Sequence, residues 1–319
     1  MDDVDDPPDV LVAGECLVDF LPERPGPLRT VERFSRRAGG APANVAVRLA
    51  DLGPAPWFRT RLGDDAFGAF LRETLADAGL PDRFVATDPD AKTSLAFVAH
   101  DDDGDRTFSF HRERGADTRL SAGVVPDDAL DAVAWVVVGG ICLSTDAVRT
   151  AMFELADRAG SRDCTVAFDP NARPELWDGG FPDAFDAGCA AADVVKATPA
   201  DLAAAGVEGP PDALLDAILQ RGAHTAFLTL GSEGAIARAT DAAPWGPAGA
   251  SHPGYDVDAV DTTGAGDAFT AGAVRGLADG LGLSEALSLA NATAAVTTTE
   301  AGAVDANVDR AAVDRLRGA

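Results

Sequence analysis

Residues Asp261 to Gly272 form the run of the sequence that carries the most chemical information. The letters DTTGAGDAFTAG place two threonines and two glycines before an apolar pattern of helical spacing. The N–H groups of Gly264, Ala265 and Gly266 are therefore expected to converge at a helix N-terminus, where free donors and the helix dipole bind an anion. Asp267 falls in the first turn. It is either a surface carboxylate that complements the dipole or a general base beside a bound phosphate, and the neighbouring glycines and threonines favour the base.

Two further runs have the composition of ligand-binding loops. RRAGGAPANVA (36–46) places a glycine pair before a helical pattern, and FDPNARPELW (168–177) follows a predicted strand. Open α/β sheets bind ligands beyond the carboxyl ends of their strands. Taken separately, a helix-initiating turn with Pro42 near the first position and an ordinary Asp-Pro-Asn turn explain these runs equally well. Their combination with the DTTGAGDAF run is what predicts a site.

Several other kinds of active site are excluded by their missing patterns. Neither Lys92 nor Lys196 belongs to the G-K-[ST] end of a P-loop, and Phe269 stands where a dinucleotide fingerprint needs its third glycine. The sequence has no G-x-S-x-G run, and its four histidines are not clustered. The four cysteines are widely spaced, which predicts buried thiols in a reducing cytoplasm rather than disulfides or a zinc site.

The charge of the chain limits its partners. The 319 residues include 26 Lys and Arg against 52 Asp and Glu, a formal net charge of −26, and 46% of the residues are hydrophobic. Such a chain folds, but its surface repels nucleic-acid phosphates and anionic membranes, so we expect neither partner. The 41 Asp against 11 Glu and the 2 Lys against 24 Arg resemble proteins of halophilic archaea. At molar salt the Debye length is about 3 Å, so the excess negative charge is screened.

The location of the protein is predicted from two absences in the sequence. The start, MDDVDDPPDV, has neither a basic segment nor an apolar core, so no signal peptide is expected. No apolar run approaches the roughly 18 residues that span a membrane. We therefore expect a cytoplasmic protein.

Strand-like and helical segments alternate along most of the chain. Apolar runs at 9–16, 134–140, 164–170, 192–198 and 225–231 predict strands, and helical spacing marks 43–52, 67–75, 145–159, 211–221, 267–279 and 284–298. This alternation predicts one α/β domain over residues 1–319, with a parallel sheet built from βαβ units. Segments 17–37 and 92–112 are expected to form a small β-rich annex, the second as a hairpin around the DDDGDR turn.

In order and spacing, these motifs resemble the ribokinase-like (PfkB) carbohydrate kinases from Val10 to Gly302. The resemblance rests on GG-x-x-x-N at Gly39, Gly40 and Asn44 and on DTTGAGDAF. It implies a central, mostly parallel sheet flanked by helices, with segments 17–37 and 92–112 as a small β-sheet lid over the sugar. It also implies an ATP-dependent kinase that uses Mg²⁺. Lids of this family often pair across a homodimer, which is a further expectation.

The resemblance also implies a role for individual residues. Asp267 corresponds to the base, and Gly264, Ala265 and Gly266 to the anion hole for the transferred phosphoryl group. The implied sugar contacts are Asp19, Gly39, Gly40, Asn44, Arg112, Asn171 and Arg173. The implied ATP contacts are Lys196, Thr229, Gly231, Gly234 and Asn291. Asp201 replaces the glutamate of the N-x-x-E motif and is expected to organise Mg²⁺ through water, and a K⁺ ion is expected near Asp261, as in some relatives.

Two local runs favour fructose as the acceptor. FSFHRERGADTRL (108–120) and FDPNARPELW resemble the corresponding runs of fructokinases. The 2-keto-3-deoxygluconate kinases share the arginine, so a keto-acid acceptor is the alternative. They commonly lack the run that stands here as Gly115-Ala116-Asp117, which favours fructose. His111 replaces the usual tyrosine. A non-catalytic sugar-binding regulator is a third possibility, against which the retained base and anion-hole glycines argue.

Overall fold

A computed structural model describes residues 8–24, 26–100, 106–121, 123–300, 302–304 and 308–318. Within these ranges the chain forms thirteen strands and ten helices. The strands are β1 (Val10–Ala13), β2 (Leu17–Pro22), β3 (Phe34–Gly39), β4 (Trp57–Gly63), β5 (Val85–Asp88), β6 (Leu95–His100), β7 (Arg106–His111), β8 (Trp135–Gly139), β9 (Thr165–Asp169), β10 (Val194–Ala197), β11 (Thr225–Thr229), β12 (Ala235–Ala239) and β13 (Ala248–His252).

The ten α-helices lie between and after these strands along the chain. They are α1 (Ala41–Leu52), α2 (Ala66–Asp77), α3 (Asp127–Leu130), α4 (Asp146–Gly160), α5 (Phe181–Ala191), α6 (Pro199–Ala204), α7 (Pro211–Leu219), α8 (Ala265–Ala278), α9 (Leu283–Thr298) and α10 (Arg310–Arg317). No helix within the described ranges is long and apolar enough to cross a membrane.

Nine strands form a large sheet in the order β13-β12-β11-β10-β9-β8-β1-β4-β5. The strands from β11 to β5 in this order pair in parallel, and β12 and β13 add an antiparallel edge. Because β1 lies between β4 and β8, the strand order reverses beside β1. Open α/β sheets bind ligands at the carboxyl ends of the strands at such a switch point.

Both faces of the large sheet are covered by helices. Along β1, Val10 and Val12 pack in one core with apolar residues of α1, α2, α8 and α9. Leu11 and Ala13 pack in a second core with residues of α4, α5 and α7. Successive side chains of a strand point to opposite faces, so the two cores lie on opposite sides of the sheet. The predicted fold, a mostly parallel sheet flanked by helices, is confirmed.

Four strands form a separate small sheet in the order β3-β2-β6-β7. Strands β2, β6 and β7 lie within the predicted segments 17–37 and 92–112, and β3 extends two residues beyond the first segment, to Gly39. The turn predicted at 101–105 lies outside the described residues. A stacked pair of rings, Phe20 and Phe97, with centroids 4.8 Å apart, joins β2 to β6. The chain passes from β1 directly into β2, so the small sheet begins beside the switch point of the large one.

Candidate active site

A cleft lies between the small sheet and the carboxyl edge of the large sheet. Its walls come from both sheets and from the beginnings of α1 and α8. The lining residues are Glu15, Leu17, Asp19, Gly40, Ala41, Asn44, Phe108, Phe110, Ile141, Asn171, Arg173, Thr263, Gly264 and Asp267. The cleft therefore brings together residues that are more than 200 positions apart in sequence.

Asp267 occupies the first turn of α8 and lines the cleft. The helix begins after Gly264, whose φ of 77° is in the left-handed region that favours glycine. A Cβ at Gly264 would also lie 2.4 Å from the Cβ of Ala303. Asp267 is the third helical residue, so its carboxylate lies beside the first-turn N–H groups that have no acceptor within the helix. The carboxylate thus lies in the first turn of α8 as predicted, while the N–H of Ala265 donates to the carbonyl oxygen of Thr262 at 3.3 Å. The anion-binding role of this helix end stays a prediction.

The Asp267 carboxylate has the proton affinity of a general base. Burial raises its pKa to about 7, since only 8% of the residue is exposed. The Nδ2 of Asn44 donates a 2.7 Å hydrogen bond to Oδ2, which holds the carboxylate in place and lowers the pKa in part. A base with a pKa near the operating pH is both ionised and able to accept a proton.

The glycine pair before α1 makes room for a second carboxylate. A Cβ at Gly39 would lie 2.0 Å from Oδ2 of Asp19, and a Cβ at Gly40 would lie 2.6 Å from the carbonyl oxygen of Glu15. These glycines thus permit the close approach of β2 and the start of α1. Burial and the charge of Asp267 raise the pKa of Asp19 to about 7.

Lys196 extends from β10 to the first turn of α8. A Cβ at Gly266 would lie 3.1 Å from its Nζ, so a side chain at this position would press on the ammonium group. Nζ forms an ion pair with Oδ2 of Asp169 at 3.0 Å, and the same oxygen accepts a 2.9 Å hydrogen bond from Thr270 Oγ1. Burial acts to lower the pKa of Lys196, but Asp169, Asp201 and Asp267 raise it above its usual value. The lysine therefore stays charged beside the anion-binding helix end.

The loop after β9 supplies Asn171 and Arg173. Asn171 has a φ of 39°, which is uncommon for a residue with a side chain, and its N–H donates to Oδ1 of Asp169. The guanidinium of Arg173 lies 5.3 Å from the ring centroid of Phe108 on β7, so this loop reaches the small sheet. Its positive charge also lowers the pKa values of Asp19 and Asp267.

The comparisons with known proteins agree with this geometry. The model of the pfkB family of carbohydrate kinases matches residues 7–310. The chain belongs to this family. The family that the motifs predict is thereby confirmed.

Relatives of this kinase include fructokinases from bacteria and plants. The chain is 37% identical over 309 residues to the fructokinase of Klebsiella pneumoniae, covering 93% of this chain and 95% of the relative. It is 34% identical over 310 residues to fructokinase-1 of Oryza sativa subsp. japonica, covering 92% and 93%. The structure of the Xylella fastidiosa fructokinase with bound ATP superposes with a TM-score of 0.85 at 30% identity, covering 96% and 97%.

Arg112 of this kinase does not take the position that the motif comparison implies. Only 6% of it is exposed, and it is not among the residues that line the cleft. Its Nε and Nη2 donate to Oδ2 of Asp117 at 2.9 and 2.6 Å, and Nη1 donates to the carbonyl oxygen of Ile141 at 3.3 Å. We correct the prediction accordingly: Arg112 lies behind the wall of the cleft in a buried ion pair.

Asp201 also has protein partners for both of its carboxylate oxygens. Oδ2 accepts from the N–H and Oγ1 of Thr198 in a capping box, and Oδ1 accepts from the N–H of Ala172 at 2.7 Å. Thr198 thus caps α6. In the described residues no group of three or more His, Cys, Asp or Glu is arranged to hold a metal ion. The Mg²⁺ role of Asp201 stays a prediction.

Glu15 is a cleft residue that the sequence reasoning missed. Its carboxylate accepts from the N–H groups of Ala41 at 3.2 Å, Ile141 at 3.4 Å and Cys142 at 3.2 Å. It therefore joins the start of α1 to the loop after β8 at the switch point. Burial raises its pKa, and the neighbouring Arg112 lowers it in part. The signal available in the sequence was a glutamate inside the apolar run 9–16. Asp169 and Thr270 were missed as well, although Asp169 belongs to the FDPNARPELW run.

Besides Lys196, the residues predicted to contact ATP lie in two places. Thr229 ends β11, and Gly231 and Gly234 form the turn that follows. A Cβ at Gly234 would lie 2.0 Å from the carbonyl oxygen of His252, so this turn requires glycine. Asn291 is buried in α9, where its Nδ2 donates to Leu287, and it does not line the cleft. The structure brings the first three to the carboxyl edge of the sheet and leaves Asn291 within a helix pair.

Asp261 holds the loop that precedes α8. Oδ1 accepts hydrogen bonds from the N–H and Oγ1 of Thr263, and Oδ2 accepts one from the N–H of Gly302 at 3.1 Å. These contacts fix the loop relative to the segment after α9. The K⁺ ion predicted near Asp261 stays a prediction.

Proposed function

We propose that this kinase transfers the γ-phosphoryl group of ATP to a hydroxyl of fructose. The observation that carries the proposal is Asp267, a buried carboxylate with a pKa of about 7 that lines the cleft from the first turn of α8. The family supplies the reaction type, and the fructokinases of Klebsiella pneumoniae and rice support the acceptor. The ATP in the Xylella fastidiosa relative supports the donor.

In the proposed reaction Asp267 accepts the proton of the sugar hydroxyl. The hydroxyl oxygen forms a bond to the γ-phosphorus while the bond between that phosphorus and the β-phosphate oxygen breaks, and ADP leaves. The N–H groups of Gly264, Ala265 and Gly266 and the ammonium group of Lys196 stabilise the charge on the transferred group. Mg²⁺ carried by the ATP phosphates neutralises part of their charge. The helix end and the lysine suit such a polyanion because both present positive potential to it.

The sugar is held on the opposite side of the cleft. Asp19 accepts hydrogen bonds from two hydroxyls, Asn44 and Gly40 border the reacting hydroxyl, and Asn171 and Arg173 hold the sugar on the phosphate side. The aromatic rings of Phe108 and Phe110 face the cleft from β7. The small sheet then acts as a lid that excludes water, which protects ATP from hydrolysis.

The remaining contacts of the proposed site are assigned to the nucleotide side. Thr229, Gly231 and Gly234 hold ATP, and Asn291 approaches the adenine. Asp201 would orient a Mg²⁺ ion through water, and Asp261 would hold a K⁺ ion beside the loop before α8. In the described residues β3 and β7 are the edges of the small sheet, and we propose that these edges pair in a homodimer in the cytoplasm.

A panel of acceptors tests the proposed activity. ADP formation is coupled to a fluorescent or absorbance readout in molar KCl, with fructose, 2-keto-3-deoxygluconate, ribose, fructose 1-phosphate and adenosine offered separately. Fructose is expected to be phosphorylated with the highest kcat/KM. Turnover of the keto acid alone would overturn fructose as the acceptor, and turnover of none of them would favour a sugar-binding regulator.

Asp267→Asn tests whether Asp267 is the base in the same assay. The amide keeps the size of the side chain and can still accept from Asn44, but it cannot take a proton. We expect kcat to fall by about 10²- to 10⁴-fold while the KM for ATP stays within about threefold. A variant that retains the turnover of the natural enzyme refutes Asp267 as the base.

A further inference from the structure

The sugar side of the cleft carries an excess of negative charge. Among the described residues that line it, Glu15, Asp19 and Asp267 are acids, and Arg173 is the cation that faces them. Arg173 is shared, because it interacts with both Asp19 and Asp267. Above about pH 7, where Asp19 and Asp267 are ionised, an acceptor that carried its own carboxylate or phosphate would meet net repulsion here. Such repulsion is strong where water is excluded.

A further cation lies directly behind this wall. The Nη1 atom of Arg112 is 3.3 Å from the carbonyl oxygen of Ile141, a residue that lines the cleft. Its charge is close enough to act on Glu15. Unpaired, this guanidinium would offset much of the negative charge that an acidic acceptor meets.

Asp117 neutralises the positive charge of Arg112. Its Oδ2 accepts from both Nε and Nη2 of Arg112, and its Oδ1 accepts from Ser94 Oγ. Only 1% of Asp117 is exposed, so solvent does not screen the pair. The positive charge of Arg112 is thereby cancelled before it reaches the sugar.

The chain around Asp117 is built to keep this contact. The N–H of Gly115 donates to the carbonyl oxygen of Arg112 at 2.8 Å, which closes the turn between the two charged residues. A Cβ at Gly115 would lie 2.0 Å from Ser94 Oγ and 2.9 Å from Asp117 Oδ1, so glycine is what permits the approach. The Gly115-Ala116-Asp117 run therefore holds the Asp117 carboxylate against the Arg112 guanidinium.

We propose that Asp117 determines the charge of the accepted sugar, by neutralising Arg112 so that the cleft takes uncharged sugars and rejects acidic ones. This inference rests on the proposed sugar kinase activity and deepens it. Removing the charge of Asp117 raises the electrostatic potential in the cleft whichever carboxylate the guanidinium then faces. Asp117 thus acts through Arg112, without touching the sugar.

Asp117→Asn tests the inference. The amide retains the shape of the side chain and an oxygen that accepts from Arg112, but it leaves the guanidinium charge uncompensated. We measure kcat/KM for fructose and for 2-keto-3-deoxygluconate. The ratio of the two values is expected to fall by at least about 10-fold, mainly through the KM of the acid. A folded variant whose ratio stays within twofold of the natural enzyme overturns the proposal.

Asp88→Asn is the matched control. Asp88 is equally buried, at 1% exposure, and pairs with Arg61 at 2.9 Å, but it does not line the cleft or contact Arg112. Its substitution is expected to lower stability and to leave the acceptor ratio unchanged. An equal change of ratio in both variants would assign the effect to general loosening of the fold and would overturn the proposal.

A second variant keeps the proposal testable if Asp117→Asn does not fold. Glu15→Gln removes one negative charge from the cleft wall itself and must shift the ratio in the same direction; no shift overturns the charge argument. The proposed function fails separately, because a natural enzyme that phosphorylates no sugar refutes it before any variant is made. A natural enzyme that prefers the keto acid overturns both.

Discussion

Two buried ion pairs flank the cleft and differ in what their cations can reach. Lys196 pairs with Asp169 on the phosphate side, and Arg112 pairs with Asp117 on the sugar side. All four residues are less than 8% exposed. The ammonium of Lys196 has one carboxylate oxygen at 3.0 Å and faces Gly266, whereas Arg112 gives two donors to Asp117 and one to a backbone carbonyl.

The difference shows how one kind of contact serves two purposes. The two cations differ in what lies against them, since Nζ of Lys196 lies beside Gly266, a residue without a side chain. At Arg112 the carboxylate and the carbonyl of Ile141 cover the donors. On the proposed function, we expect Lys196 to act on the transferred phosphoryl group and the Arg112–Asp117 pair to set the electrostatic potential where the sugar binds.

The largest expected effect separates the two cations directly. Lys196→Met and Arg112→Met each leave a buried carboxylate unpaired, which costs about 3–5 kcal/mol of stability in both cases. Lys196→Met is also expected to lower kcat with fructose by about 10²- to 10³-fold, as loss of one transition-state donor does. Arg112→Met is expected to keep kcat within about fivefold. Steady-state kinetics measure kcat, and denaturant unfolding measures the stability of each variant. Equal losses of kcat in the two variants would contradict the proposed difference between Lys196 and Arg112.

The pH dependence of kcat sharpens the same comparison. Asp267 must be ionised to accept a proton, so activity falls as the pH drops through its pKa of about 7. Lys196 lowers that pKa, and its loss therefore moves the acid limb of the profile to higher pH, by about one unit. Arg112→Met is expected to leave the limb in place. An unshifted limb in the Lys196 variant would mean that the ammonium does not act on the base.

A smaller effect concerns the free energy of unfolding, which the ionisation of buried Asp267 lowers. Because the folded-state pKa of Asp267 lies above its unfolded value, its contribution to stability is full below about pH 4 and is lost as the pH rises through about 7. Asp267→Asn removes this loss. The variant is expected to melt at least about 2 °C higher than the natural protein at pH 8, with a smaller gain at pH 5. Calorimetry at the two pH values checks this, and a lower melting temperature at pH 8 contradicts it.

The smallest effect is expected at the helix that follows Lys196. Thr198→Ala removes the side-chain cap of α6, where Thr198 Oγ1 accepts from the N–H of Asp201. We expect a loss of about 1 kcal/mol in the free energy of unfolding and a change in kcat of less than twofold. Urea titration and initial rates measure these values. A tenfold loss of kcat would show that the cap itself takes part in phosphate binding.

The sequence predicted the site where the residues were local to one run. Gly264 to Asp267 are neighbours in sequence and fold into one helix end, so spacing alone predicted where these four residues lie. Their roles as anion hole and base stay predictions. Asn44 lies 223 positions from Asp267, and no pattern could reveal that the two side chains bond to each other. The motif comparison gave Asn44 a sugar contact, and the structure adds its role as the partner of the base.

Three strands and the position of Arg112 were not predicted, because the side chains there are not typical of the structure in which they lie. Strand β4 was missed since Arg59 and Arg61 interrupt its apolar run, yet Arg59 is 2% exposed and donates to the backbone oxygens of Thr60 and Phe84. Strands β12 and β13 were missed because alanine and glycine, which have low strand propensity, make up most of them. Arg112 was misplaced because burial by Asp117 depends on the turn at Gly115 and on Ser94, which is distant in sequence.

The contact between Asp201 and Ala172 has a consequence for thermal inactivation. One carboxylate both closes the first turn of α6 and holds the loop that carries Asn171 and Arg173. Fraying of that short helix therefore releases the loop while the two cores remain intact. Heating is expected to abolish turnover a few degrees below the cooperative melting of the sheets, with amide hydrogen exchange rising first at Ala172 and in the opening turn of α6.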